Sequence, residues 1–129
     1  KDSLLNTPPT CSSYVLKLVT DWRLQMGGTE YFENQSIENS TAVYSLLSKF
    51  NEYVQIPVDE YSRSRMNIVF NFKNLNHEEL FLKKALENNI IGIKGHRSIG
   101  GIRISLYNSI DKPSVQYLLD FMNSFLKGL

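Results

Sequence analysis

MNIVFNFKNLNHEELFLKKALENN, residues 66–89, carries a strand, a helix start and a helix in one run. Ile68, Phe70 and Phe72 alternate with Asn67, Val69 and Asn71, the period of a strand with one apolar face. Asn76, followed three residues on by Glu79, has the pattern of a capping box, and Leu75 with Leu80 fits a hydrophobic staple. A helix is expected from there to about Glu87, with Leu82, Ala85 and Leu86 inward.

Working outward toward the C-terminus, Ile90–Lys94 reads as a short strand and Gly101–Tyr107 as another. In the second, Ile102, Ile104 and Leu106 share one face, and Arg103, Ser105 and Tyr107 the other. Asp111 is the expected cap of a last helix, with Pro113 tolerated in its first turn. Val115, Leu118, Leu119, Met122, Phe125 and Leu126 form its apolar stripe.

Toward the N-terminus, Tyr53–Ile56 is a candidate strand and residues 57–64 a loop. Residues 29–50 have a helical pattern, clear at Val43, Leu46, Leu47 and Phe50 but polar over ENQSIENST (33–41). Residues 11–26 read as a further helix, capped by Thr10 and stopped by Gly27 and Gly28. Its stripe is Val15, Leu18, Val19, Trp22 and Met26, with Trp22 expected in the core. The order αα, then β(β)αββα, at this size predicts a two-layer α+β sandwich, α/β in the broad sense: a small, mostly antiparallel sheet covered by helices.

The chain has 129 residues, 42% apolar and 21% charged, so it reads as one folded domain rather than a disordered tail. Fourteen basic and thirteen acidic residues leave a net charge of +1, which argues against a general polyanion binder. The basic residues are also not interleaved with aromatics, as a nucleic-acid surface would have them. No apolar run approaches the ~20 residues of a membrane span. Cys11 is the single cysteine, so no internal disulfide can form, and a reducing, cytoplasmic location is expected. It is read as a packed small residue. His77 and His96 stand in no metal-ligand spacing, so no metal is expected. Lys1 in place of Met, and an opening in the turn-rich LLNTPPT (4–10), read as a piece of a longer protein or a processed form.

Local charge is less even. KGHRSIGGIR (94–103) holds Lys94, His96, Arg97 and Arg103 with three glycines and no acid. Glycines let main-chain amides approach a ligand, and arginine presents a planar fork to carboxylate or phosphate. The cluster reads as a pocket for a small dianion. The residues alone equally allow a solvated basic hairpin loop. Arg63 and Arg65, ahead of the first strong strand, read as a charged loop end.

The runs SRMNIVFNF, LFLKKALENNIIGIKGHRSIGGIRISLYN and VQYLLDFMNSF, with NTPPT and a helix ending in GG upstream, closely resemble the C-terminal part of the phosphoserine aminotransferase family, within the class-V, fold-type-I aminotransferases. The resemblance covers nearly the whole chain and is weakest over 29–60. It implies a pyridoxal phosphate enzyme that exchanges an amino group between glutamate and 3-phosphohydroxypyruvate in serine biosynthesis, as a homodimer with sites at the subunit interface. By position, Arg103 would hold the substrate α-carboxylate. His96 and Arg97 would hold the substrate phosphate or the side-chain carboxylate of glutamate. Asn6 and Thr7 would reach the cofactor phosphate of the neighbouring subunit. Residues 1–28 would form the cofactor-phosphate loop and interdomain helix, and 29–129 the small domain.

The family's cofactor-bearing lysine lies upstream of NTPPT, and none of the nine lysines here sits in its motif. The resemblance therefore implies no catalytic residue in this piece and no aminotransferase activity from it alone. The competing expectation is a stand-alone, non-catalytic α+β module that binds a small phosphate- or carboxylate-bearing ligand. A stand-alone module should bury its first helix; a part of a larger enzyme should leave apolar surface uncovered.

Overall fold

A computed structural model describes residues 6–129. The elements are α1 (Thr10–Gln25), α2 (Gly28–Lys49), β1 (Val54–Gln55), β2 (Asn67–Phe72), α3 (Leu75–Glu87), β3 (Ile102–Ser105) and α4 (Lys112–Lys127), with a 3₁₀ turn at Glu60–Ser62. The chain divides into two compact units, Lys1–Asn34 and Gln35–Leu129, with the boundary inside α2.

In the second unit the sheet runs β1-β2-β3, both pairs antiparallel. β2 is central. Ile68, Phe70 and Phe72 are buried and the residues between them are not, as the alternation predicts. Val54, Ile102 and Ile104 join them on the dry face. Val43 and Leu47 of α2, Phe81 and Ala85 of α3, and Val115, Leu118, Met122 and Leu126 of α4 close over that face. The result is the expected α+β two-layer sandwich.

Phe81 occupies the middle of this layer. Its ring lies 5.2 Å from Phe72, 6.1 Å from Phe70, 5.3 Å from Phe121 and 5.1 Å from Phe125, so it touches both the sheet and α4. The offset and edge-on geometries are those that aromatic quadrupoles favour. The inward face of α3 is thus Phe81 and Ala85, flanked by Leu82. Leu86, expected inward, is exposed.

The start of α3 also differs from the expectation. Asn74, not Asn76, is the cap, and its side chain accepts from the Asn76 amide at 2.9 Å. Both Leu75 and Leu80 are exposed, so no staple forms. The two asparagines are separated by one residue, and extended backbone at Asn74 decides between them. At the other end Asn89 takes the left-handed conformation (φ 58°). The Ile90 amide then reaches the Ala85 carbonyl at 2.8 Å and the Asn89 amide reaches Leu86 at 3.1 Å, a Schellman closure built on asparagine.

Ile90–Lys94 is not a strand. Lys94 makes a single bridge to Ile102, and the segment is otherwise irregular. β1 is also shorter than the predicted Tyr53–Ile56, and β3 shorter than Gly101–Tyr107, although Leu106 stays buried as expected. The polar half of α2 is helical throughout. Asp111 caps α4 as predicted, its carboxylate accepting from the Ser114 amide at 3.0 Å.

In the first unit α1 has no buried residue, and Thr10 lies inside the helix while Pro9 stands at the cap position without a side-chain bond. Trp22, expected in the core, is 39% exposed and packs against Phe32 at 5.3 Å. Arg23 lies over the Phe32 ring, 5.6 Å from its centroid, and Tyr31 meets that ring edge-on. Cys11 is exposed rather than packed. Helical periodicity identifies a face fit for burial; it does not supply what covers it. Among the described residues no helix is long and apolar enough to cross a membrane.

Two outcomes follow. Phe81→Ala should destabilise the second unit by about 3–5 kcal/mol, since a large ring leaves a cavity bounded by sheet and helix alike; urea unfolding checks it. Asp111→Ala should lower the thermal midpoint in a pH-dependent way. Hydrogen bonds from Ser114 hold the Asp111 carboxyl below its ordinary pKa. Its contribution is therefore complete above the ordinary carboxylate pKa and is lost as pH falls through the depressed value. The two proteins should differ at pH 7 and converge in strong acid.

Candidate functional site

The glycine-rich run folds as a tight loop between Ile93 and β3. The Arg103 amide donates to the Ile93 carbonyl and the Gly95 amide to the Gly101 carbonyl, each at 2.8 Å. Between these bonds the chain reverses. The Ile99 and Gly100 amides both donate to the His96 carbonyl, at 3.0 and 2.8 Å. A Cβ on Gly95 would overlap the carbonyl oxygens of Gly100 and Gly101, so backbone lies directly on backbone there. Gly101 has φ +72°, and a Cβ on it would overlap Asn71 Oδ1. The glycines are therefore required by the closure of the loop base.

His96 and Arg97 stand at the tip, both exposed. The Ser98 amide donates to His96 Nδ1 at 3.3 Å, and the Ser98 hydroxyl lies 2.8 Å from the same nitrogen. An amide donor at Nδ1 assigns the ring proton to Nε2, which leaves Nε2–H as the outward donor.

Arg103 lies on β3, opposite Val69 of β2 and on the open side of the sheet. It is exposed. Its surroundings are nevertheless unusual. The open face consists of Gln55, Asn67, Val69, Asn71, Arg103 and Ser105, with no carboxylate among them. Ser105 donates its hydroxyl to Asn67 at 3.0 Å, so that pair satisfies itself. Among the described residues, none of the ion pairs — Lys17–Asp21, Lys84–Glu87 and Lys112–Glu38 — includes Lys94, Arg97 or Arg103.

The structure therefore brings His96, Arg97 and Arg103 onto one loop-and-strand unit, with the loop base next to the strand that bears Arg103. Asn6 and Thr7 are exposed residues of the first unit, ahead of α1. Arg63, read from sequence as part of a charged loop end, is half-buried. It donates to the Val58 carbonyl at 3.4 Å and lies 5.2 Å from the Tyr44 ring centroid. Burial pushes the Tyr44 hydroxyl pKa up, against an opposing pull from Arg63. A cavity of about 640 Å³ lies elsewhere, between the 88–93 segment, the end of β3 and the start of α4. Ile90, Leu106, Pro113 and Val115 line it, it contains none of the predicted anion-binding residues, and periodicity gave no sign of it. Among the described residues no three His, Cys, Asp or Glu side chains gather as metal ligands.

The chain, with His96 and Arg97 on a glycine-built loop beside Arg103 of β3, matches a known family over most of its length. Residues 2–118 match aminotransferase class-V, and the chain belongs to that family. Within it, the similarity is to phosphoserine aminotransferases. The chain is 41% identical over 129 residues to the phosphoserine aminotransferase of Campylobacter lari, covering 98% of this chain and 36% of that protein. Among solved structures, one of a phosphoserine aminotransferase described for radiation damage of its Schiff base superposes with a TM-score of 0.92 at 38% identity, covering 99% of this chain and 36% of the other. The pyridoxal-phosphate-bound phosphoserine aminotransferase of Trichomonas vaginalis superposes with a TM-score of 0.82 at 28% identity, covering 92% and 34%. The chain spans about a third of the length of the curated relatives it matches.

Proposed function

We propose that this chain is the C-terminal part of a phosphoserine aminotransferase, in which His96, Arg97 and Arg103 select a substrate with an anion at each end. The observation that carries this is the cluster itself: two arginines and a histidine on one loop-and-strand unit, with no carboxylate beside Arg103 on the open face of the sheet. Arg103 binds the substrate α-carboxylate through two parallel bonds. Arg97 and His96 Nε2–H bind the far anion, phosphate in one substrate and carboxylate in glutamate. The main-chain closure of the loop sets where its tip leaves β3, and so how far the donors of the tip stand from Arg103.

Pyridoxal phosphate, when bound, supplies the electron sink for moving an amino group between glutamate and 3-phosphohydroxypyruvate. The residues present fit only its phosphate end. Asn6 and Thr7 offer amide and hydroxyl donors suited to a phosphate, across a homodimer interface. Every described lysine is exposed, so no desolvated amine is available here to carry the cofactor. That lysine belongs to a portion outside these residues. Residues 1–28 then serve as the cofactor-phosphate loop and interdomain helix and 29–129 as the small domain, in a cytoplasmic enzyme of serine biosynthesis. The unburied stripe of α1, with Val15, Leu18, Val19 and Trp22 all exposed, favours a part of a larger enzyme over a stand-alone binding module.

In the full-length enzyme, Arg103→Ala should lower kcat/KM for both substrates by about 30–150-fold, the loss of one charged bidentate contact at about 2–3 kcal/mol. His96→Ala and Arg97→Ala should fall harder on the phosphorylated substrate. Steady-state kinetics decide it; an unchanged kcat/KM in Arg103→Ala rejects the assignment. The 129-residue chain alone, mixed with pyridoxal phosphate, should show no stoichiometric visible absorbance band. A band abolished by one lysine substitution would show that the chain carries its own cofactor lysine.

A further inference from the structure

The open face of the sheet holds one side chain that touches the base of the loop. Asn71, on β2, is half-buried, and its Oδ1 stands where a Cβ of Gly101 would be. The glycine hydrogen that points the same way meets that oxygen, a Cα–H···O contact of the kind found between adjacent strands. Gly101 in turn receives the Gly95 amide on its carbonyl, and Gly95 lies against the Gly100 carbonyl. Asn71 thus presses on the glycine from which both halves of the anion cluster extend: the His96–Arg97 tip on one side and β3, with Arg103, on the other.

The sheet register adds a second relation. Val69 pairs with Arg103, so Asn71 lies two residues along β2 on the same face, diagonal to Arg103. Diagonal neighbours across an antiparallel pair are about 7–8 Å apart, within reach of a long side chain. A neutral amide at this position contacts Gly101 without offering Arg103 an internal carboxylate. An aspartate would retain the oxygen over Gly101 and add that carboxylate.

Resting on the substrate-binding reading above, we propose that Asn71 is a positioning residue: it fixes the glycine base of the loop, and so the spacing between the His96–Arg97 tip and Arg103, while leaving Arg103 unpaired. A substrate with anions at both ends senses that spacing, so loss of Asn71 acts on binding of both substrates.

The test uses the full-length enzyme with N71A, N71D and R103A. N71A should raise KM for both substrates about five- to tenfold, with kcat within about twofold and a near-unchanged thermal midpoint, since displaced but intact donors weaken binding. N71D, nearly isosteric and so a check on folding, should raise KM further, with the excess shrinking at high salt as the internal pair to Arg103 is screened. If R103A loses activity while N71A and N71D keep wild-type KM values, the role of Asn71 is overturned and the substrate-binding reading stands. If N71A lowers kcat and the thermal midpoint together at unchanged KM, its role is structural only, and the proposal is likewise overturned. If R103A itself retains wild-type kcat/KM, the underlying reading fails, and the positioning role fails with it.

Discussion

Neighbouring side chains in an extended strand point to opposite sides, and in β2 this parity constrains everything around it. Ile68, Phe70 and Phe72 enter the core because they share one parity, and Asn67, Val69 and Asn71 face outward because they share the other. A slip of one residue would exchange the two sets, placing phenylalanines in water and asparagines against Phe81. β2 is also paired on both edges, so the same parity orders β1 and β3. Ile102 and Ile104 become core residues and Arg103 an outward one through the register with β2, rather than through anything local to β3. The dry face and the charged face are thus two consequences of a single alternation.

This explains which parts of the molecule could be read from the sequence. The alternation in β2, the faces of β3 and the stripe and cap of α4 were legible because each depends on neighbours in the chain. The failures depend on distant ones. Phe81 lies at the centre of the layer because Phe70 and Phe72 of β2 and Phe121 and Phe125 of α4 converge on it. The local periodicity of α3 pointed to Leu82, Ala85 and Leu86 and passed over Phe81. Ile90–Lys94 has the composition of a strand yet makes one bridge, because the Schellman closure at Asn89 and the loop base at Gly95 leave little room for a ladder between them.

The candidate site divides in the same way. The basic, acid-free composition of 94–103 was visible directly, as was the outward parity of Arg103. The role of Asn71 was not, because it rests on a contact between β2 and a glycine thirty residues later. Nor could the residues alone decide between a solvated hairpin and a binding loop. The loop is closed by main-chain bonds and carries exposed cations that have no ion-pair partner among the described residues, features that both readings share. In α1, by contrast, the stripe was correctly seen and only Trp22 was wrongly placed in the core, since a repeating pattern contains no information about the surface it is meant to meet.

The loop base has one more consequence. Its closure is made by Gly95, Gly100 and Gly101 through carbonyls and amides, whereas Arg97, Ser98 and Ile99 project from the tip into solvent. Frame and tip are therefore chemically independent. Exchanging the tip side chains leaves every bond of the frame in place, while adding one methyl group to Gly95 at the base disturbs all of them. Such a loop can change its tip side chains, and with them the charge and reach it presents beside Arg103, without touching the main-chain bonds that close it.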